Sequence, residues 1–368
     1  MNIKPVIAAI SSVALLAGCT QQTSGDQTQS NAANSSASAA RVSEASSPLP
    51  DQLANGTKIA IVQQSGQGDY FQQFLNGTKQ QSSTLKMDLS IFDAQGDNAK
   101  QASQLDQAIS SGVQGIIVRH GFADSICPGV NRAIEKGITV VVYDVEVSEC
   151  APKAIQAQQS DSVMAQLVLE QMTKDIGTGV DVGYVNVEGI APLDRRDRVW
   201  REYVQQNQWT QKFKTGNYTA SSATDSAPMV DNALKSNNSV VGVYAPYDEF
   251  TKATLTALEQ NPGLAGKVSV YGADISTADI ELMTKENSPW KATGATDPNA
   301  IGAAVVRALA LQMVGELNEN QVEFPPILIT QDYLRENQIS NMEQLREKTP
   351  ELNLSDELSA DWIPVISF

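Results

Sequence analysis

The stretch Val113–Cys150 reads VQGIIVRHGFADSICPGVNRAIEKGITVVVYDVEVSEC. It opens on the apolar run Gly115-Ile116-Ile117-Val118 and closes on Ile138 to Tyr143. Both runs are rich in β-branched residues, as strands buried on both faces are. Between them, Ile126, Val130, Ala133 and Ile134 recur at helical spacing, and Gly137 stands where a helix C′ glycine belongs. The stretch is a β-α-β unit, so its two strands run parallel with a right-handed crossover. Asp144 follows the second strand. Open parallel sheets receive ligands beyond the carboxyl ends of their strands, which makes Asp144 the first candidate for a site.

The same alternation extends in both directions. Lys58–Val62 and Met87–Phe92 read as strands, with helices over Tyr70–Ser83 and Asp97–Ile109. Ala154–Gln158 is a weaker strand. A second series follows, with strands at Asp181–Val187, Ser239–Tyr244, Val268–Tyr271, Trp290–Gly294 and Ile327–Ile329. Strands alternating with helices twice over predict two α/β lobes with mostly parallel sheets. A chain of 368 residues is long enough for two cores. The expected division is 51–158 plus 297–328 for the N-terminal lobe, and 159–296 plus 329–368 for the C-terminal lobe and tail.

The N-terminus has the pattern of an export signal. Lys4 precedes an apolar run from Val6 to Ala17, too short to span a bilayer. Leu16-Ala17-Gly18-Cys19 resembles the lipobox of bacterial lipoproteins, which implies a signal peptide over 1–19, lipidation at Cys19, and a place in the periplasm or at the cell surface. Thr20 after the cysteine is not the Asp that marks inner-membrane retention in diderm bacteria. Residues 20–50, full of Ser, Ala, Gln and Asn, are expected to be a disordered tether. The net charge of −16 excludes a nucleic-acid binder, which needs a basic footprint. With Cys19 set aside, Cys127 and Cys150 form an even pair suited to a disulfide in an exported protein. The single His120 is too little to complete a zinc site with them, so neither metal nor cofactor is expected.

Lys58–Gly77, Asp93–Asp97, Val142-Tyr143-Asp144 and Tyr271-Gly272-Ala273-Asp274 together resemble the ribose-binding-protein-like periplasmic sugar-binding proteins of ABC importers. Ser125-Ile126-Cys127-Pro128 followed by Glu149-Cys150 is similar to the autoinducer-2 and rhamnose-binding subgroup, in which cysteines at these places form a disulfide. The resemblance implies a type 1 periplasmic binding fold: two Rossmann-like lobes joined by a three-segment hinge and closing on a ligand. It implies a monomer that hands a small carbohydrate-like ligand to an ABC permease. It also implies paired aromatics at Tyr70 and Phe71, with Gln64 and Ser65 in the preceding loop. Asp144 matches the first-lobe carboxylate, Arg196 the second-lobe guanidinium and Asp274 the second-lobe carboxylate. Tyr247 and Asp248 stand where the family often has Asn-Asp, and Thr296 where it often has a hinge Gln. Val145 replaces the Arg of a common Asp-Arg pair, which argues against ribose itself. Hexose, deoxyhexose, pentose and furanosyl signals stay open, as does a sensor that presents the closed form to a membrane receptor. No G-x-G-x-x-G, P-loop or G-x-S-x-G is present, so no enzyme is expected. His120 follows a strand end and is placed to rim the cleft, but has no Ser or Cys partner for catalysis.

Overall fold

The computed structural model describes residues 40–368 apart from residue 265. The expected signal segment, Cys19 and most of the expected tether lie outside the described residues. In chain order the strands are β1 (Arg41–Val42), β2 (Lys58–Gln63), β3 (Asp88–Asp93), β4 (Gly115–Arg119), β5 (Thr139–Tyr143) and β6 (Ile155–Gln159). There follow β7 (Asp181–Val185), β8 (Thr210–Thr215), β9 (Gly242–Ala245), β10 (Ser269–Ala273) and β11 (Trp290–Ala295). The last are β12 (Gln321–Phe324), β13 (Ile327–Thr330) and β14 (Ile366–Ser367).

One lobe is built on a six-stranded sheet in the order β12-β6-β5-β4-β2-β3, the other on β13-β11-β10-β9-β7-β8. Every pair in the first sheet is parallel. In the second, only β13 runs antiparallel, against β11. The central strands are buried on both faces, Ile116 to Val118 and Val140 to Val142 among them, as their unbroken apolar runs predict. The helix Ala123–Glu135 joins β4 to β5 and ends at Gly137, whose φ of +78° only glycine adopts cheaply. In the N-terminal lobe the helices Asp69–Thr84 and Pro298–Val314 pack backbone to backbone. A Cβ on Gly77 would strike the Asn299 carbonyl, and one on Gly302 that of Phe74.

The chain passes between the sheets at Gln159–Ser160, at Thr296–Asp297 and at Pro325–Pro326. The third passage corrects the expected boundary at 328, because Ile327 and Leu328 already pair with β11. Two further corrections concern the ends. The tether was expected to reach Pro50, but Arg41–Val42 pairs with Ile366–Ser367. The tail does not stay with the C-terminal lobe: Leu345 and Leu352 enter that lobe's core, whereas Leu354, Trp362, Ile363 and Val365 enter the other. The buried Arg307 fixes the return. It donates to the carbonyls of Leu354 at 2.6 Å and Glu357 at 3.0 Å and to Gln81 Oε1 at 3.2 Å. Polarity hid this segment, because its few apolar residues are too widely spaced to give a period.

Cys127 and Cys150 are disulfide-bonded, with Cα atoms 6.0 Å apart. The bond closes a loop spanning 23 positions that contains β5 and Asp144. The chain-entropy model assigns such a loop roughly 3 kcal/mol.

Candidate functional site

Three strands end in the same way. Arg119, Tyr143 and Ala273 close β4, β5 and β10, and the next residue of each turns left-handed: His120 at φ +55°, Asp144 at +57° and Asp274 at +73°. Each still donates its N–H to the neighbouring strand: His120 to Tyr143 O at 2.9 Å, Asp144 to Ala157 O at 2.9 Å, and Asp274 to Gly294 O at 2.8 Å. The backbone completes one more rung of the ladder and then turns the side chain into the cleft. A left-handed non-glycine residue costs about 1 kcal/mol, and Asp and His tolerate it better than most. Such strain held at three strand ends around one cavity singles that cavity out as the candidate site.

The cavity lies between the lobes and opens in part to solvent. Of the ten expected ligand residues, Tyr70, Phe71, Asp144, Arg196, Tyr247 and Asp274 line it. His120, Gln159, Ile190, Pro192, Leu193 and Tyr218 complete the lining. Gln64 and Ser65 line instead an adjoining chamber that also touches Phe71, Tyr218 and Tyr247. Two expectations are corrected. Asp248 faces away: its Oδ2 takes Lys252 Nζ at 2.9 Å and its Oδ1 the Glu249 N–H at 2.9 Å. Thr296 stands behind the lining, its hydroxyl donating to Gln159 Oε1 at 2.7 Å.

The charges of the site form one chain across the lobes. Asp161, at the start of the helix Asp161–Ile176, accepts Arg195 Nε at 2.7 Å and Arg196 Nε at 2.8 Å. Arg195 reaches on with Nη2 to Asp144 Oδ1, 3.2 Å away on the opposite lobe. Arg196 donates Nη1 to the Pro246 carbonyl at 2.6 Å. Burial pulls the Arg196 pKa down, but Asp161 and Asp274 raise it further, so the guanidinium keeps its charge.

Asp144 is held up to about 7 by burial and then by Asp161, against Arg195 and Arg196. Asp274 is likewise raised to about 7 by burial, with Arg196 opposing and Asp248 adding. His120 is driven well below its ordinary value by burial and by Arg119, Arg195 and Arg196, so its imidazole is neutral. Tyr70 and Tyr143 share a hydroxyl–hydroxyl bond of 2.5 Å, and burial keeps both protonated.

Several buried atoms here have no hydrogen-bond partner among the described residues: Asp144 Oδ2, Asp274 Oδ1, His120 Nδ1 and Arg195 Nη1. A buried polar atom left unpaired costs about 1–3 kcal/mol, so a lining with acceptors on both lobes is chemically fitted to a ligand rich in hydroxyls. Phe71, which lines the cavity, is held by the buried Arg119 guanidinium, 5.0 Å from its ring centroid. Ile190, Pro192 and Leu193, from the first turn of the helix Ala191–Gln206, add an apolar wall.

His120 carried the same signal as Asp144, a polar residue directly after a strand. Arg195 and Arg196 were inseparable within a run of five charged residues. Tyr218 comes from the loop after the edge strand β8, and only the folded structure brings it to the cavity.

Residues 59–317 match the family model described as periplasmic binding protein domain. The ribose import binding protein RbsB of Bacillus subtilis is 23% identical over 265 residues, which cover 71% of this chain and 83% of that protein. A 5-methylthioribose transporter solute binding protein from Thermotoga lettingae, solved in complex with 5-methylthioribose, is 33% identical with a TM-score of 0.81. That match covers 86% of this chain and 98% of the other. A sugar ABC transporter structure from Yersinia enterocolitica has the same TM-score at 28% identity, over 86% of this chain and 97% of the other.

Proposed function

The chain belongs to the periplasmic binding protein family, and on that premise we propose that its cleft captures a pentose bearing an apolar substituent, 5-methylthioribose or a close analogue. At the coarser level it is a type 1 periplasmic sugar-binding protein of the kind that serves ABC importers, working outside the cytoplasm with a permease. The family is one of binding proteins, in line with the expectation that the chain is not an enzyme.

One observation carries the ligand class. Asp144 and Asp274, on opposite lobes and each with a carboxylate oxygen that has no hydrogen-bond partner among the described residues, line the same cavity as the apolar Ile190, Pro192 and Leu193. The carboxylates suit the hydroxyls of a sugar, and a missing hydroxyl leaves them unpaired and lowers affinity. The apolar wall suits a thioether or methyl group, where each buried methylene contributes about 0.8 kcal/mol. The 5-methylthioribose protein supports the reading, being alike over most of both chains.

Binding measured by calorimetry on residues 40–368 tests it. The proposal expects 5-methylthioribose to bind at least about tenfold more tightly than D-ribose, the discrimination expected of an apolar pocket for such a group. Preference for ribose, or no binding of either sugar, overturns the ligand class.

The lipid anchor is part of the same proposal and rests on Leu16-Ala17-Gly18-Cys19. Replacing Cys19 by Ser is expected to move the protein from the membrane fraction to the soluble fraction. Retention in the membrane fraction would sink the anchor.

A further inference from the structure

We infer that His120 reads the ligand as a neutral imidazole protonated on Nε2, its Nδ1 accepting a hydrogen bond from a hydroxyl of the bound sugar. The inference rests on the cavity being the sugar site and adds a recognition residue to it.

Geometry fixes the ring. His120 lines the cavity, and its side chain is 10% exposed. Three aromatic rings meet it edge-on: Phe71 with centroids 5.1 Å apart, Tyr143 at 5.8 Å and Tyr70 at 6.3 Å. Its left-handed backbone and its N–H bond to the Tyr143 carbonyl leave it little freedom to turn away.

The surroundings fix the proton. Nε2 stands 3.6 Å from Asp144 Oδ2. With that carboxylate ionised, a proton on Nε2 faces a negative oxygen, whereas a bare Nε2 would set two acceptors against each other. Arg119, Arg195 and Arg196 oppose a second proton. The phenols of Tyr70 and Tyr143 stay protonated and are engaged with each other. Nδ1 is then a bare acceptor, buried, with no donor among the described residues. A hydroxyl answers it. A ligand carbonyl or ether oxygen at that place would be a second acceptor and would be rejected, which gives the site discrimination through repulsion as well as attraction.

His120 is the single histidine of the chain, so one pair of imidazole nitrogen resonances reports on it alone. Long-range ¹H–¹⁵N spectra of the free protein at about pH 8.5, where Asp144, raised to about 7, is ionised, are expected to show Nε2 protonated and Nδ1 bare. Adding 5-methylthioribose is expected to shift Nδ1 upfield, as accepting a hydrogen bond does. D-ribose is the second probe.

Two variants separate recognition from packing. His120→Phe keeps the ring and removes both nitrogens; it is expected to bind the sugar about ten- to a hundredfold more weakly. His120→Asn loses the ring but places an amide oxygen near the former Nδ1 and tolerates a positive φ; it is expected to stay within about tenfold of wild type. The reverse order assigns the ring to packing and overturns the inference, as does an unmoved Nδ1 signal in the presence of a bound sugar. If neither sugar binds the wild type, the ligand class proposed above fails. The free protein then decides for His120, because protonation on Nδ1 at that pH overturns the inference by itself.

Discussion

Two buried polar networks in this molecule have opposite finish. Behind the N-terminal lobe, Arg307 is buried with its donors spent on the Leu354 and Glu357 carbonyls and on Gln81, whose amide in turn donates to the Pro364 carbonyl at 2.8 Å. In the cleft, Asp144, Asp274, His120 and Arg195 are also buried, and each has an atom with no partner among the described residues. Burial alone does not mark a site. A satisfied network holds the tail, and the unsatisfied one is the proposed sugar site. Removing a group from the first should cost stability; removing one from the second should cost affinity.

The largest expected effect belongs to the satisfied network. Arg307→Met leaves the tail carbonyls without donors and should lower unfolding free energy by about 3 kcal/mol or more, with sugar affinity nearly unchanged. Denaturant titration checks the first part and calorimetry the second; a large loss of affinity at constant stability would invert the comparison. Replacing both Cys127 and Cys150 by Ser removes a constraint on the unfolded chain and should cost roughly 3 kcal/mol by the same assay.

Asp274→Asn should do the reverse of Arg307→Met. It removes a charge that burial and Asp248 disfavour and Arg196 favours, and asparagine accepts the positive φ, so the stability of the free protein should change little. Affinity for the sugar should fall about ten- to a hundredfold. A strongly destabilised variant would place Asp274 with the structural network.

The smallest effect is on pH. Asp144 and Asp274 have folded pKa values raised to about 7, against about 4 in an unfolded chain. The folded state therefore holds more protons between those limits, and the free protein should lose stability as pH rises from about 4 to about 7. Asp248, raised to about 6, and Asp279, raised well above its ordinary value, act in the same direction. The slope should thus weaken, not vanish, in Asp274→Asn. Melting points across that range check the sign, and a wild-type stability that climbs with pH would contradict the electrostatic account.

Much of the fold was legible because its signals are local. The β-branched runs at Ile116–Val118 and Val140–Val142 named central strands, and Gly137 named a helix end. Asp144 stands directly after a strand that the sequence locates, whereas Asp274 lies three residues past the expected strand Val268–Tyr271 and was named through the family resemblance. Asp248 misled because its place beside Tyr247 says nothing of Lys252 one helical turn on, which captures it. The course of the tail was not legible, because what holds it is a single arginine more than forty residues away in the chain. The apolar wall was missed for a related reason. Ile190, Pro192 and Leu193 read as an ordinary helix start, and only the closing of the two lobes makes them a surface.

The central claim is that a sugar satisfies the unpaired atoms on both lobes at once. Calorimetric titration with 5-methylthioribose near pH 6.5, in two buffers of different ionisation enthalpy, tests it most directly. Ligand hydroxyls that favour ionised Asp144 and Asp274 should expel protons on binding, and the release should shrink in Asp274→Asn. Binding that moves no proton in wild type, or the same number in the variant, would contradict the claim.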